Sequence, residues 1–215
     1  MKTCGSALIA GFAVSFAGSS AAQLSFSFDE AAFAAGSNAS DDYASYTTAG
    51  GADVAIPLAG GAATFGDFIY TPIGSEAGFG ELEIRAADAG ETDAENSLIA
   101  FLDGSPDNFS FSIQAVGGPM NAIGFVFFCA ASFGGAIVSF DNGESFSIGD
   151  QLASPATGFL GISSATPFTT VTFDVADTSS FEGLFIETIY ADVIPAPATA
   201  SLIALSGLAA ARRRR

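Results

Sequence analysis

The densest run of chemistry-bearing side chains is Asp88-Ala89-Gly90-Glu91-Thr92-Asp93-Ala94-Glu95-Asn96. Carboxylates on a Gly-containing loop can converge on Ca²⁺, which takes about six to eight oxygens. Asp88, Glu91, Asp93 and Glu95 are therefore the candidate metal ligands. The spacing is not that of an EF-hand loop, which needs Gly at its sixth position and Glu at its twelfth. The competing reading is a solvated acidic loop. Asp103, Asp107 and Asn108 form a weaker cluster of the same kind, whereas Asp141, Asn142 and Glu144 read as turn chemistry. Paired carboxylates can also hydrolyse glycosides without any His. Glu81 and Glu83 share one strand face with Arg85 and are the first such pair, but this arrangement reads more simply as a salt-bridged surface. Aromatic faces stack on the C–H surfaces of sugar rings, and Tyr43, Tyr46, Tyr70 and Tyr190 are the residues available for it. Sugar binding is thus expected ahead of sugar cleavage.

The composition narrows the chemistry further. The chain has 215 residues, 49% of them apolar and 13% charged, with no His and no Trp. Without His there is no Ser-His-Asp triad, no Cys-His pair and no His-liganded zinc or iron site. No catalytic residue is assigned, and the protein is expected not to be an enzyme.

The elements that must position these groups are short strands separated by Gly, Asn, Asp and Pro. Phe109, Phe111 and Ile113 alternate with Ser110, Ser112 and Gln114, and Val171, Phe173 and Val175 alternate with Thr170, Thr172 and Asp174. This is the two-residue period of a half-buried strand. Residues 136–140 and 145–148 flank Asp141-Asn142-Gly143-Glu144, a hairpin signal because Asn-Gly accepts positive φ. Further strands are expected over 24–28, 54–56, 67–70, 81–85, 98–102, 158–162 and 184–190. Only residues 29–36 read as helix, with Asp29 as N-cap and Gly36 as the stop. About ten strands and one short helix make an all-β antiparallel sandwich or jelly roll.

Both ends read as addresses. Lys2 precedes the apolar run Ala7 to Ala17, and Ser20-Ala21-Ala22 offers small residues to a signal peptidase. Residues 1–22 are therefore expected to be a signal peptide with a helical core. At the other end Pro195-Ala196-Pro197 leads into an apolar span, and Arg212, Arg213, Arg214 and Arg215 close the chain. Twelve apolar or small residues, 200–211, are short against the roughly 20 that cross a bilayer as a helix. The terminal arginines act as a stop on the cytoplasmic side. The order of Pro motif, apolar span and basic tail resembles the PEP-CTERM sorting signal of exported bacterial proteins, with Pro-Ala-Pro in place of Pro-Glu-Pro. That resemblance implies an exosortase-type transpeptidase as partner, acting near the motif while the apolar C-terminal helix within the sorting segment, residues 194–215, holds the protein transiently in the membrane. Asn121 to Phe125, the Asp141-Asn142-Gly143 turn, Gly158 to Ser163 and Pro167 to Phe173 resemble the β-sandwich domains that accompany this tail, which are akin to jelly-roll lectins. Those domains carry Asp-Asn in their last strand, where this chain has Phe185-Ile186-Glu187-Thr188-Ile189.

Residues 23–193 are then the ectodomain. All 23 acidic residues lie in it and Arg85 is its only basic one, which leaves a net charge of −22. Such a field repels nucleic acid and anionic membrane surfaces and keeps a Phe-rich protein soluble. A saline habitat and calcium binding are the two explanations of the acidity. Cys129, the one Cys of this stretch, reads as a buried inert thiol in an apolar run. The expected function is non-enzymatic adhesion or association with extracellular polysaccharide at the cell envelope. A carbohydrate-active module, with Ca²⁺ as an optional cofactor, and a coat protein assembling through strand edges are the alternatives.

Overall fold

The computed structural model describes residues 23–46, 54–56, 61–75, 80–85, 97–102, 108–128, 136–152, 158–176 and 182–195. The expected signal helix, the C-terminal apolar helix, Cys129 and the loop carrying Asp88, Glu91, Asp93 and Glu95 lie outside these residues.

In chain order the elements are β1 (Leu24–Ser27), α1 (Glu30–Gly36), β2 (Ala39–Asp41), β3 (Val54–Ile56), β4 (Ala63–Phe65), β5 (Phe68–Ser75), β6 (Gly80–Arg85) and β7 (Ser97–Leu102). They continue as β8 (Asn108–Ala115), β9 (Met120–Phe128), β10 (Ile137–Phe140), β11 (Ser145–Ser147), a single 3₁₀ turn (Ile148–Asp150), β12 (Gly158–Phe168), β13 (Thr170–Ala176) and β14 (Glu182–Val193). One sheet runs β1-β12-β9-β14-β7-β6-β3 with β2 also paired to β14, and the other runs β11-β10-β13-β8-β5-β4. Every pairing is antiparallel. From β7 onward the chain passes back and forth between the sheets, the winding of a β-sandwich of jelly-roll type. The all-β sandwich with one short helix is the architecture expected from the strand periodicity.

The alternation places the core. Phe111, Ile113, Val171 and Phe173 point inward from β8 and β13, and Ile123, Phe125 and Phe127 point inward from β9 of the facing sheet. Phe111 and Phe173 stack at 4.9 Å as cross-strand neighbours, and Phe125 meets Phe173 edge-on at 5.1 Å across the two sheets. Such offset and edge-on pairs add to the area term. Sheet edges are kept short: β1 has four residues, and β3, β4 and β11 have three each. Short edges offer little template for pairing with another chain.

Two turns and the helix refine the sequence expectations. At the β10–β11 hairpin only Gly143 takes positive φ, +93°, while Asn142 spends its side chain on hydrogen bonds. Asp29 caps α1 as expected, its Oδ1 accepting Ala32 N–H at 3.0 Å. Gly36, expected as the stop, is instead the last helical residue, and Ser37 is the C-cap, its hydroxyl donating to Phe33 O at 3.0 Å. Strands β2 and β4 have no sequence expectation behind them. β2 reads Ala-Ser-Asp with no apolar alternation, and exists because β14 supplies a partner. β4 does carry a signal, since Gly66-Asp67 is a two-residue hairpin loop closing Phe65 onto Phe68, with Gly66 at φ +52°.

Strand β14 organises one end of the sandwich. It pairs with β7 through Ile186, shifts register between Ile186 and Thr188, then pairs with β2 from Ile189. A bulge of this kind re-aims a strand. On the outer face of the larger sheet Gly161, Gly124, Tyr190 and Ser40 form one cross-strand row. Helix α1 covers that row, with Phe33 lying over the two glycines beside Phe159, at 5.3 Å between ring centroids.

Candidate functional site

Strand β2 ends in Asp41, a carboxylate only 8% exposed. Its Oδ1 accepts Tyr43 N–H at 2.9 Å and its Oδ2 accepts the Tyr46 hydroxyl at 2.8 Å. The Gly66 turn of the other sheet packs against these two groups so closely that a Cβ there would lie 2.7 Å from Asp41 Oδ2. Tyr43 takes φ +57°, a left-handed conformation that a bulky residue adopts only when its surroundings impose it. Here the Asp41 bond and complete burial do so. The Tyr70 hydroxyl donates to that of Tyr43 at 3.1 Å, and both rings are 0% exposed. Burial pushes both phenols up. Tyr43 and Tyr70 are therefore core residues, which removes them from the expected stacking set: neither has a ring face in contact with solvent.

Tyr46 and Tyr190 behave differently. Both are half-buried, and both line one cavity of about 550 Å³ together with Ser40, Asp41, Asp42, Ser45, Gly66 and Thr188. Each ring is held from two sides. Tyr46 donates to Asp41 and meets Phe65 edge-on at 4.9 Å. Tyr190 donates to Glu30 Oε1 of α1 at 2.8 Å and meets Phe159 edge-on at 6.1 Å. Burial, reinforced by these carboxylate partners, pushes both phenols up to about 12. A ring fixed in this way has little rotamer freedom left to lose on binding.

The cavity continues along β2. A second one of about 440 Å³ shares Ser40 and Tyr190 with it, and a third of about 330 Å³ shares Asn38, Ala39 and Asp67 with the second and reaches Pro195. Through these shared residues the three adjoin one another along β2, and together they make up the trough. Asn38 holds its floor, with Nδ2 donating to Val193 O and Oδ1 accepting Val193 N–H, both at 2.8 Å. Ile194 N–H donates to Pro119 O at 2.7 Å, so the last backbone tie among the described residues falls one residue before exposed Pro195.

Burial raises the Asp41 carboxyl above its ordinary value, opposed by the Tyr43 N–H and Tyr46 hydroxyl bonds and assisted by the nearby charges of Asp42 and Asp67. A group whose pKa is higher folded than unfolded contributes stability below the unfolded value, about 4, and loses it as pH rises through the folded one. Asp41→Asn keeps an acceptor for Tyr43 N–H without the charge. The melting temperature of this variant, taken relative to the native chain, is therefore expected to climb as pH rises above about 4. A constant or falling difference over that range contradicts the assignment.

A separate cavity of about 610 Å³ opens between the edge strands β1 and β11, lined by Leu24, Phe26, Phe146, Asn142, Glu144 and neighbouring polar residues. Its rings, 5.1 Å apart, pack on each other and on the core. Glu144 Oε2 accepts from Asn142 Nδ2 at 2.8 Å and from Ser164 Oγ at 2.5 Å, stitching the β10–β11 turn to β12 of the other sheet. Among the described residues Glu144 Oε1 has no hydrogen-bond partner, and it is buried. The Asp141 to Glu144 segment is thus the turn device that its residue types imply.

The remaining candidates scatter. Glu83, 9% exposed, alternates with the core residues Leu82 and Ile84 and so faces away from the core; the side chains of Glu81 and Arg85 lie outside the described residues. So do Asp103, Asp107, Ala196, Pro197 and Arg212, Arg213, Arg214 and Arg215. Among the described residues no three His, Cys, Asp or Glu side chains come together to hold a metal ion, and no helix is long and apolar enough to cross a membrane. Asn38, Ser40, Asp41, Asp42, Asp67 and Thr188 belong to the trough although the sequence assigned none of them a binding role. One signal was present: Asp41-Asp42-Tyr43-Ala44-Ser45-Tyr46 puts two carboxylates and two tyrosines into six residues. Comparison with known proteins finds no matching family profile, no similar curated protein and no similar solved structure.

Proposed function

We propose that this is an exported cell-envelope protein whose β-sandwich works without catalysis, in adhesion through association with extracellular polysaccharide. The observation that carries this reading is the pair of tyrosines, Tyr46 and Tyr190, each buttressed by a second ring and locked by a carboxylate along one trough. Polysaccharide sites need rigid apolar faces flanked by hydrogen-bonding groups, and the trough offers both. Signal peptidase at residues 1–22 and an exosortase-type transpeptidase at Pro195-Ala196-Pro197, ahead of Arg212–Arg215, are the partners of the export route. Exposure of Pro195, next to the Ile194–Pro119 bond, supports access to that motif. The membrane is engaged only through the C-terminal segment before processing. The short edge strands weigh against the coat-protein alternative.

Affinity electrophoresis of the full chain in gels containing a panel of soluble polysaccharides tests the proposal. Retarded migration in at least one gel, relieved by free oligosaccharide, is the expected result. Unchanged migration throughout, with polymer at millimolar sugar, sinks it.

A further inference from the structure

Resting on that reading, we infer that the occupant of the trough along β2 is an uncharged, hydroxyl-rich polysaccharide, and that Asp42 and Asp67 are the acceptors that select it. The Asp67 carboxylate lines two of the three connected cavities and has no hydrogen-bond or ion-pair partner among the described residues. Asp42 lines the third, and Ala44 N–H engages only its Oδ1. Both side chains are exposed. Ser40, Ser45 and Thr188 add hydroxyls, and none of the three cavities has a Lys or Arg in its lining. The ligand must therefore bring donors to open carboxylate oxygens. Sugar hydroxyls supply them as charge-assisted bonds, which are stronger than neutral ones. A uronate or sulfated polymer would bring a like charge into a site with no cation, inside a domain of net charge −22. Tyr46 and Tyr190 fit the same ligand, since their hydroxyl protons are already committed to Asp41 and Glu30, which leaves the phenol oxygens as acceptors and the rings as apolar surface.

The test measures binding of the full chain to neutral dextran, laminarin and galactomannan, to polyanionic alginate and to polycationic chitosan. Three variants accompany it: Asp42→Asn with Asp67→Asn, Tyr190→Leu, and a control pair, Asp150→Asn with Asp174→Asn. The control changes net charge equally at exposed positions outside the trough. A neutral polymer is expected to bind, and raising NaCl from about 0.1 to about 0.5 M should change its affinity less than about twofold. The trough pair should weaken it about tenfold and the control pair hardly at all. Tyr190→Leu should weaken it by a similar factor. Binding to alginate alone or chitosan alone overturns this inference while leaving polysaccharide association standing. So does neutral binding that the trough variants leave intact. Failure to bind any polymer removes both.

Discussion

Phe173→Ala is expected to cost about 3–5 kcal/mol, the range for truncating a fully buried aromatic residue. The ring is 0% exposed and sits where three strands meet: stacked on Phe111 at 4.9 Å within its own sheet and struck edge-on by Phe125 at 5.1 Å from the facing one. Deleting it opens a cavity that neither neighbour can fill, because each is fixed in its own strand register. With no disulfide joining the described strands, the loss is a large share of the roughly 5–15 kcal/mol that holds a domain together. In a chain of this size it should lower the melting temperature by about 6–20 °C. Phe173→Leu keeps most of the volume and should cost about 1.5 kcal/mol or less. Chemical denaturation of both variants separates these cases, and a Phe173→Ala loss no greater than that of Phe173→Leu would show that this aromatic cluster does not bridge the two sheets.

The part of this fold legible in the sequence was the part written in period-two alternation. Strands β8 and β13 announce themselves because Ser and Thr separate large apolar residues, and the sheet needs only that contrast to choose its inner face. Strand β2 could not be read in this way. Ala39-Ser40-Asp41 has no apolar face, and its place is set by β14 some 150 residues further along. The candidate site depends on that long-range pairing, which explains why the sequence could not tell that, of the four tyrosines, Tyr46 and Tyr190 line the trough while the other two are core. Composition cannot tell Tyr43 from Tyr46. The difference arises when the Asp41 turn drives one ring into the core and leaves the other at the surface. Likewise Asp67, expected as the first residue of a strand over 67–70, sits in the Gly66-Asp67 hairpin loop and becomes a lining residue because that turn packs against the β2 end of the other sheet.

Gly161→Ala is expected to destabilise the native protein by about 1–3 kcal/mol, the usual cost of forcing a methyl into packed surroundings. Neither Gly161 nor Gly124 has positive φ, so the demand for glycine here is one of space rather than backbone conformation. A Cβ at Gly161 would lie 2.5 Å from Phe33 Cδ2, and one at Gly124 would lie 2.8 Å from both Phe33 Cε1 and Phe159 Cε2. Phe33 would have to lift, and α1, which has no fully buried residue, would lift with it. In a Phe33→Ala background the same substitution meets only Phe159 Cε1, at 3.1 Å, and should cost at least about 0.5 kcal/mol less than in the native protein. That non-additivity, read from a double-mutant cycle in urea, is the signature of steric docking, and equal costs in both backgrounds would refute it. The consequence reaches the trough. When α1 lifts, Glu30 leaves the Tyr190 hydroxyl that it now holds at 2.8 Å, and the ring regains the freedom that the bond removes. Gly161→Ala should therefore weaken polysaccharide binding although it touches no ligand, and Glu30→Gln, which retains an acceptor for the hydroxyl, should not.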